Sequence, residues 1–170
     1  MRSYLLAGAL AVGLSLVAGS PASPALSYGY ICDAPDVLID NEERLLLERI
    51  NHYRESLGLA SLSPSYSLTA SAGWMAGDMA WRNYISHTDW FGRDAATRHI
   101  DCGNSAPYRG EIIAAGPAMD RADAAMDAWL KSETHHQEML NPHYRVAGVS
   151  RFYHPASTYG WYWVVDFASE

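Results

Sequence analysis

Lysine is almost missing from this chain: the 170 residues contain one, Lys131, and 12 basic side chains face 19 acidic ones for a formal charge of -7. No basic run is left to lie along a phosphate backbone, which excludes nucleic acid as a partner. The HExxH helix of zinc peptidases is absent too, since His135-His136-Gln137-Glu138-Met139 has neither its order nor its second histidine. So are the GxSxG nucleophile elbow and the GxxxxGK[ST] phosphate loop. Cysteine is limited to Cys32 and Cys102, without a CxxC, which argues against a cysteine-built metal site or a thiol nucleophile. There is no internal repeat and no linker. With 49% hydrophobic and 18% charged residues, the chain reads as one globular domain rather than a disordered segment.

The N-terminus carries its own instruction. Met1-Arg2 leads into an apolar run from Tyr4 to Gly19 and then Ser20-Pro21-Ala22-Ser23-Pro24-Ala25, the layout of a secretory signal peptide over residues 1–25. The run is short for a span of about 20 residues, so removal is expected, after Ala22 or Ala25 within the window 19–27, leaving no transmembrane anchor. Cys32 lies too far beyond the run to be a lipidated cysteine. The expected location is secreted, periplasmic or cell-envelope. In such an oxidising compartment the two cysteines, each beside turn-forming residues, are expected to pair as Cys32–Cys102; closing a loop of about 70 residues stabilises by roughly 4 kcal/mol in the chain-entropy model.

Residues 26–39 show no periodicity and read as an N-terminal arm tied down at Cys32. The domain proper is expected over 40–170. Asp40 with Glu43 has the form of a capping pair, and Leu46, Ile50, Tyr53 and Leu57 recur at helical spacing until Gly58. A loop over Ala60 to Pro64 leads to Ser65, the cap of a second helix marked by Leu68, Ala72, Met75, Met79 and Tyr84 and expected to end near Ser86. The polar stretch from His87 to Tyr108 holds at most one short helix, around Ala95 to Ile100. A strand is expected over Glu111 to Gly116 and helices over Ala122 to Leu130 and Ser132 to Leu140. Strands over Val146 to Tyr153 and Trp161 to Phe167 form a hairpin, with Trp161, Trp163, Val165 and Phe167 on one face. Trp74, Trp81, Trp90, Trp161 and Trp163 are read mostly as core.

Of the 7 histidines, His52, His99, His143 and His154 have no evident site around them and read as structural or idle. His87 closes the second helix and His135 and His136 open a later one, so three imidazoles come from element ends, where sites are often assembled. Glu111 adds a carboxylate. Neutral imidazole with carboxylate suits zinc, and a catalytic zinc takes three protein ligands plus water. Spacing alone identifies no zinc class, and a hydrogen-bonded polar cluster accounts for the same trio.

The order of motifs resembles the CAP superfamily, the domain of cysteine-rich secretory proteins, antigen 5 and pathogenesis-related 1, in its secreted bacterial branch. The matching stretches are Leu46 to Arg54, Met79-Ala80 leading into Tyr84-Ile85-Ser86-His87-Thr88-Asp89, and Gly110-Glu111. Trp129-Leu130-Lys131-Ser132 with His135, Met139 to Val149, and Tyr162-Trp163-Val164-Val165-Asp166-Phe167 follow in the family's order. The resemblance covers about residues 40–168. It implies an α/β/α sandwich in which helices flank a small antiparallel sheet, and a surface cleft that in the family is lined by two histidines and two acids and in some members binds zinc. By motif, His87, Glu111 and His135 take three of those places. Ser132 stands where many eukaryotic members carry the second acid, with Glu133 adjacent; Ile112 replaces a usual asparagine and Thr134 a usual glycine.

Three functions compete on this reading. A secreted binding module would hold a small molecule, lipid or protein partner in a cleft ordered by His87, Glu111 and His135. A metal-assisted hydrolase or peptidase would put zinc on His87 and His135, with Glu111 as ligand or general base. Ser86 and Ser132 lie near these histidines, but neither has a recognisable elbow. In a purely structural role the trio would be a polar cluster and nothing more.

Overall fold

Helix α1 (Asn41–Ser56) starts at a complete capping box: the Asp40 carboxylate accepts from the Glu42 and Glu43 N–H groups at 2.8 and 2.9 Å, and Glu43 accepts from the Asp40 N–H at 2.6 Å. The computed structural model describes Cys32 and residues 39–170, so the expected signal peptide and nearly all of the arm lie outside the described residues. Leu46, Leu47 and Ile50 bury the inner side of α1. Near its end, Arg54 is fully buried and donates to the carbonyls of Ala60, Met139 and Asn141 at 3.0, 2.6 and 3.1 Å, so one guanidinium ties α1 to a distant turn.

The remaining elements are β1 (Ser63–Pro64), α2 (Tyr66–Arg82), α3 (Ala95–Asp101), β2 (Arg109–Gly116), α4 (Ala122–Leu130), α5 (Glu133–Met139), β3 (Val146–Tyr153) and β4 (Trp161–Ala168). The sheet order is β1-β3-β4-β2, with β3–β4 and β2–β4 antiparallel. This is the expected sandwich, with one unforeseen addition: β1 pairs parallel to β3 through two residues read from the sequence as loop. One face of the sheet presents Ile112, Val149, Trp163, Val165 and Phe167 to α1, α4 and α5. The other presents Ile113, Tyr162 and Val164 to α2. Strand β4 is therefore buried on both faces, and β2 forms the edge of the sheet opposite β1.

Helix α2 stops earlier than expected. Asn83 adopts φ 58°, the left-handed conformation that ends helices, so α2 closes at Arg82 and His87 lies beyond it in the loop 83–94. Where α2 crosses β3, Gly148 is required: a Cβ there would sit inside the Thr69 nitrogen and the Leu68 carbonyl carbon. The disulfide Cys32–Cys102 forms as expected, with Cα atoms 5.2 Å apart, and fixes the residue that ends α3. The reading of the tryptophans as core needs correction. Trp129 and Trp163 are fully buried, Trp74 and Trp161 are partly so, but Trp81 and Trp90 stand 68% and 65% exposed.

Candidate functional site

Strand β2 carries Glu111, whose side chain is only 2% exposed, and α3 brings Arg98, fully buried, against it. The Arg98 guanidinium forms a close ion pair with Glu111 Oε2 and donates to the carbonyls of His87 and Arg93 at 3.1 and 2.8 Å. Oε1 of Glu111 bonds His87 Nδ1 at 2.8 Å. One buried carboxylate thus holds a buried cation on one side and an imidazole that is 58% exposed on the other. On the opposite face of β2, Gly110 leaves space for Glu138 and Tyr144, with which any side chain there would collide.

The loop that carries His87 is stitched to α2. Asp78 accepts from the Trp90 N–H at 2.9 Å and from the Tyr84 hydroxyl. Asp89 accepts from Phe91 and Arg93 N–H groups, from Arg93 Nε, and from the Trp74 indole N–H at 3.1 Å. Behind Glu111, its register partner Asp166 on β4 lies 3.2 Å from His99 Nε2, both side chains fully buried. His99, read from the sequence as structural or idle, belongs to the buried support of this site.

The electrostatics follow from the contacts. The hydrogen bond to Glu111 raises the His87 pKa, against the opposing pull of burial. Burial, helped by the charge of Asp166, pushes the Glu111 carboxyl up on balance, against the downward pull of His87 and Arg98. Helix α5 supplies His135 from the other layer of the sandwich; burial, and then the charge of His87, lower its pKa. His136, one residue on, is bonded to the Tyr53 hydroxyl at 2.9 Å. Ser132 sits at the start of α5, where its side chain makes no capping bond.

With this geometry in place, the likeness to known proteins is specific. Residues 47–167 match the model of the CAP family, the cysteine-rich secretory protein family. The chain belongs to the CAP family. Within it, the Bacillus subtilis (strain 168) protein YkwD, described as uncharacterized, is 30% identical over 107 residues, which are 63% of this chain and 41% of that protein. An extracellular protein of Bacillus anthracis containing an SCP domain shares the fold at TM-score 0.66 and 23% identity, over 76% of this chain and 40% of that one. An outer surface protein of Borrelia burgdorferi matches at TM-score 0.66 and 26% identity, over 76% of this chain and 94% of that one. This CAP chain therefore spans about two fifths of both Bacillus proteins. Among its described residues, no helix is long and apolar enough to cross a membrane.

The CAP site residues do not meet the needs of a three-ligand metal centre. Both Glu111 oxygens are engaged, by His87 and Arg98, and Nδ1 of His87 is engaged as well. Among the described residues no three His, Cys, Asp or Glu side chains are placed to hold a metal ion. What remains for a metal is two imidazoles, fewer than the three protein ligands of a catalytic zinc.

Sequence reasoning missed Arg98 altogether. An arginine in a short polar helix carries no local mark of burial, and only the pairing of α3 with β2 shows its role. Two cavities lie away from the trio. One, of about 410 Å³, is lined by α1 and α4 residues such as His52 and Met126; the other, of about 380 Å³, runs along α2.

Proposed function

We propose that this CAP domain works outside the cytoplasm, after removal of residues 1–25, as a binding module whose contact point is His87 with His135 alongside. The observation that carries this reading is the chain Arg98–Glu111–His87, in which two buried groups fix the orientation of an exposed one. Folding alone would not ask for an exposed imidazole to be aimed by a buried ion pair. With Nδ1 bound to Glu111, Nε2 is the ring nitrogen left for a ligand. When His87 is protonated it donates from Nε2, and its raised pKa favours that form, so the fitting ligand carries an acceptor such as a carboxylate or phosphate.

The test is histidine-selective NMR of the oxidised protein titrated with inorganic phosphate and with hexanoate at about pH 6 and about pH 8, on either side of an ordinary histidine pKa. The reading expects His87 shifts at the lower pH that weaken at the higher and vanish in His87→Ala. No shift, or the same response in His87→Ala, would overturn it.

The same contact favours a second reading. An acid orienting an imidazole through Nδ1 is the base half of a hydrolytic arrangement. Its metal-assisted version has less support, because it asks Glu111 to serve as ligand or base while both oxygens are held. Turnover of peptide or ester panels that is abolished in His87→Ala would support hydrolysis; absence of turnover would remove it.

A further inference from the structure

Trp74, Asp78 and Trp81 succeed one another at helical spacing along one side of α2, while Ala72, Met75, Ala76 and Met79 pack toward the sheet. The two indoles share the cavity of about 380 Å³ with Gly73, Gly77 and Arg82, within the size range of small-molecule sites. Trp81 is 68% exposed and yet held in place: His154 meets its ring at 4.2 Å, edge on, and Phe152 at 6.3 Å. Trp74 is anchored through its N–H to Asp89 at 3.1 Å. The Trp74 ring is partly covered, by the Arg93 guanidinium 5.3 Å from its centre and by Phe91 at 6.1 Å, so it offers the cavity only part of its surface, while Trp81 offers a held and wet face.

Gly77 adds an independent point, whereas Gly73 is accounted for by its close approach to Ser150 Oγ, 3.3 Å from where a Cβ would sit. A helix-interior glycine is costly relative to alanine, and at position 77 packing does not require one, because a Cβ would meet only the Phe152 ring at 3.8 Å, an ordinary contact. The charges in the groove cancel: Arg82 Nε pairs with Asp78 Oδ1 at 2.8 Å, and the Arg82 guanidinium rests 4.6 Å from the centre of the Trp90 ring. A cationic ligand would meet Arg82 and an anionic one Asp78. An acyl chain would want an enclosed apolar channel, and this groove is half-open and lined by an ion pair. A neutral ring with C–H faces for the indoles and hydroxyl edges for the polar pair suits all of these features.

We infer that the α2 groove is a saccharide-binding site, taking a short neutral oligosaccharide of β-linked rings with equatorial substituents, whose flat faces stack on Trp74 and Trp81. His87 does not line it, although Trp74 and Asp78 also fasten the loop that carries His87, and the inference does not depend on the reading of the His87 site. The probes are cellotriose and chitotriose, with maltotriose as the differently shaped control, and the readout is the indole N–H spectrum of the 15N-labelled oxidised protein. The Trp81 resonance is identified by its loss in Trp81→Ala. Shifts at Trp74 and Trp81 with either β-linked sugar are expected, weakened at least about tenfold in Trp81→Ala and unchanged in His87→Ala. No shift with either sugar up to about 10 mM, equal binding by Trp81→Ala, or a preference for maltotriose would overturn the assignment. So would Trp81-dependent binding to phosphatidylcholine vesicles without any sugar response, which would make the groove a lipid contact.

Discussion

Truncating Glu111 to alanine strands a buried cation. Arg98 is fully buried and would keep its two carbonyl partners, His87 and Arg93, but lose its one ion pair among the described residues. Removing one partner of a buried pair costs about 3–5 kcal/mol. The retained carbonyl bonds place this case at the lower end, so Glu111→Ala is expected to lose about 3 kcal/mol. Glu111→Gln, which keeps an acceptor in the same place, is expected to lose about 1–2 kcal/mol. The exposed His87 end of the chain adds little to either figure. Urea unfolding of the oxidised protein at neutral pH measures both, with an unchanged denaturant slope as the check that only stability has moved. A cycle with Arg98→Met isolates the pair: the double variant Arg98→Met/Glu111→Gln should be more stable than the sum of the single losses by at least about 1 kcal/mol. A loss below about 0.5 kcal/mol for Glu111→Ala, or simple additivity in the cycle, would refute the claim that a buried ion pair supports the site.

Two further expectations rest on neighbouring contacts. His87 has a folded pKa raised above its unfolded value near 6.5, so the stability from its bond to Glu111 is fully present below about pH 6.5 and fades as pH rises through the folded pKa; the urea midpoint of the parent should fall over that range more than that of His87→Gln, and parallel profiles would contradict the contact. Gly148→Ala would force a methyl group into the α2 backbone at Leu68 and Thr69, and a loss of about 3 kcal/mol or failure to fold is expected by thermal melting, whereas parental stability would show that α2 can shift away from β3.

Much of the fold is legible because local signals and tertiary packing agree. The bounds of α4 and β3 match the sequence reading, and the Asp40–Glu43 capping box forms as its residues predict. The misses have physical causes. Tyr84 continues the apolar spacing of α2 and points to an end near Ser86, but a left-handed Asn83 overrides it. Strand β1 is two residues long, one of them proline, and exists only through its pairing with Val146 and Ala147, which no local pattern reveals. Trp81 could have been placed outside, since it shares the spacing of Trp74 and Asp78 rather than that of Met75 and Met79. At the site, element ends and the family motif group His87, Glu111 and His135, and the structure brings His87 and Glu111 into contact. Arg98, His99 and Asp166 escape that grouping, because buried polar contacts between distant segments leave no periodic trace.

The guanidinium of Arg54 has a mechanical consequence. By gripping carbonyls of Met139 and Asn141 it fastens the end of α1 to the last residue of α5 and the turn that follows, within the helix layer that carries His135. His87 rides on a loop fastened to α2, on the opposite side of the sheet. A ligand touching both imidazoles would therefore bridge the two halves of the sandwich like a staple across the outer edge of β2.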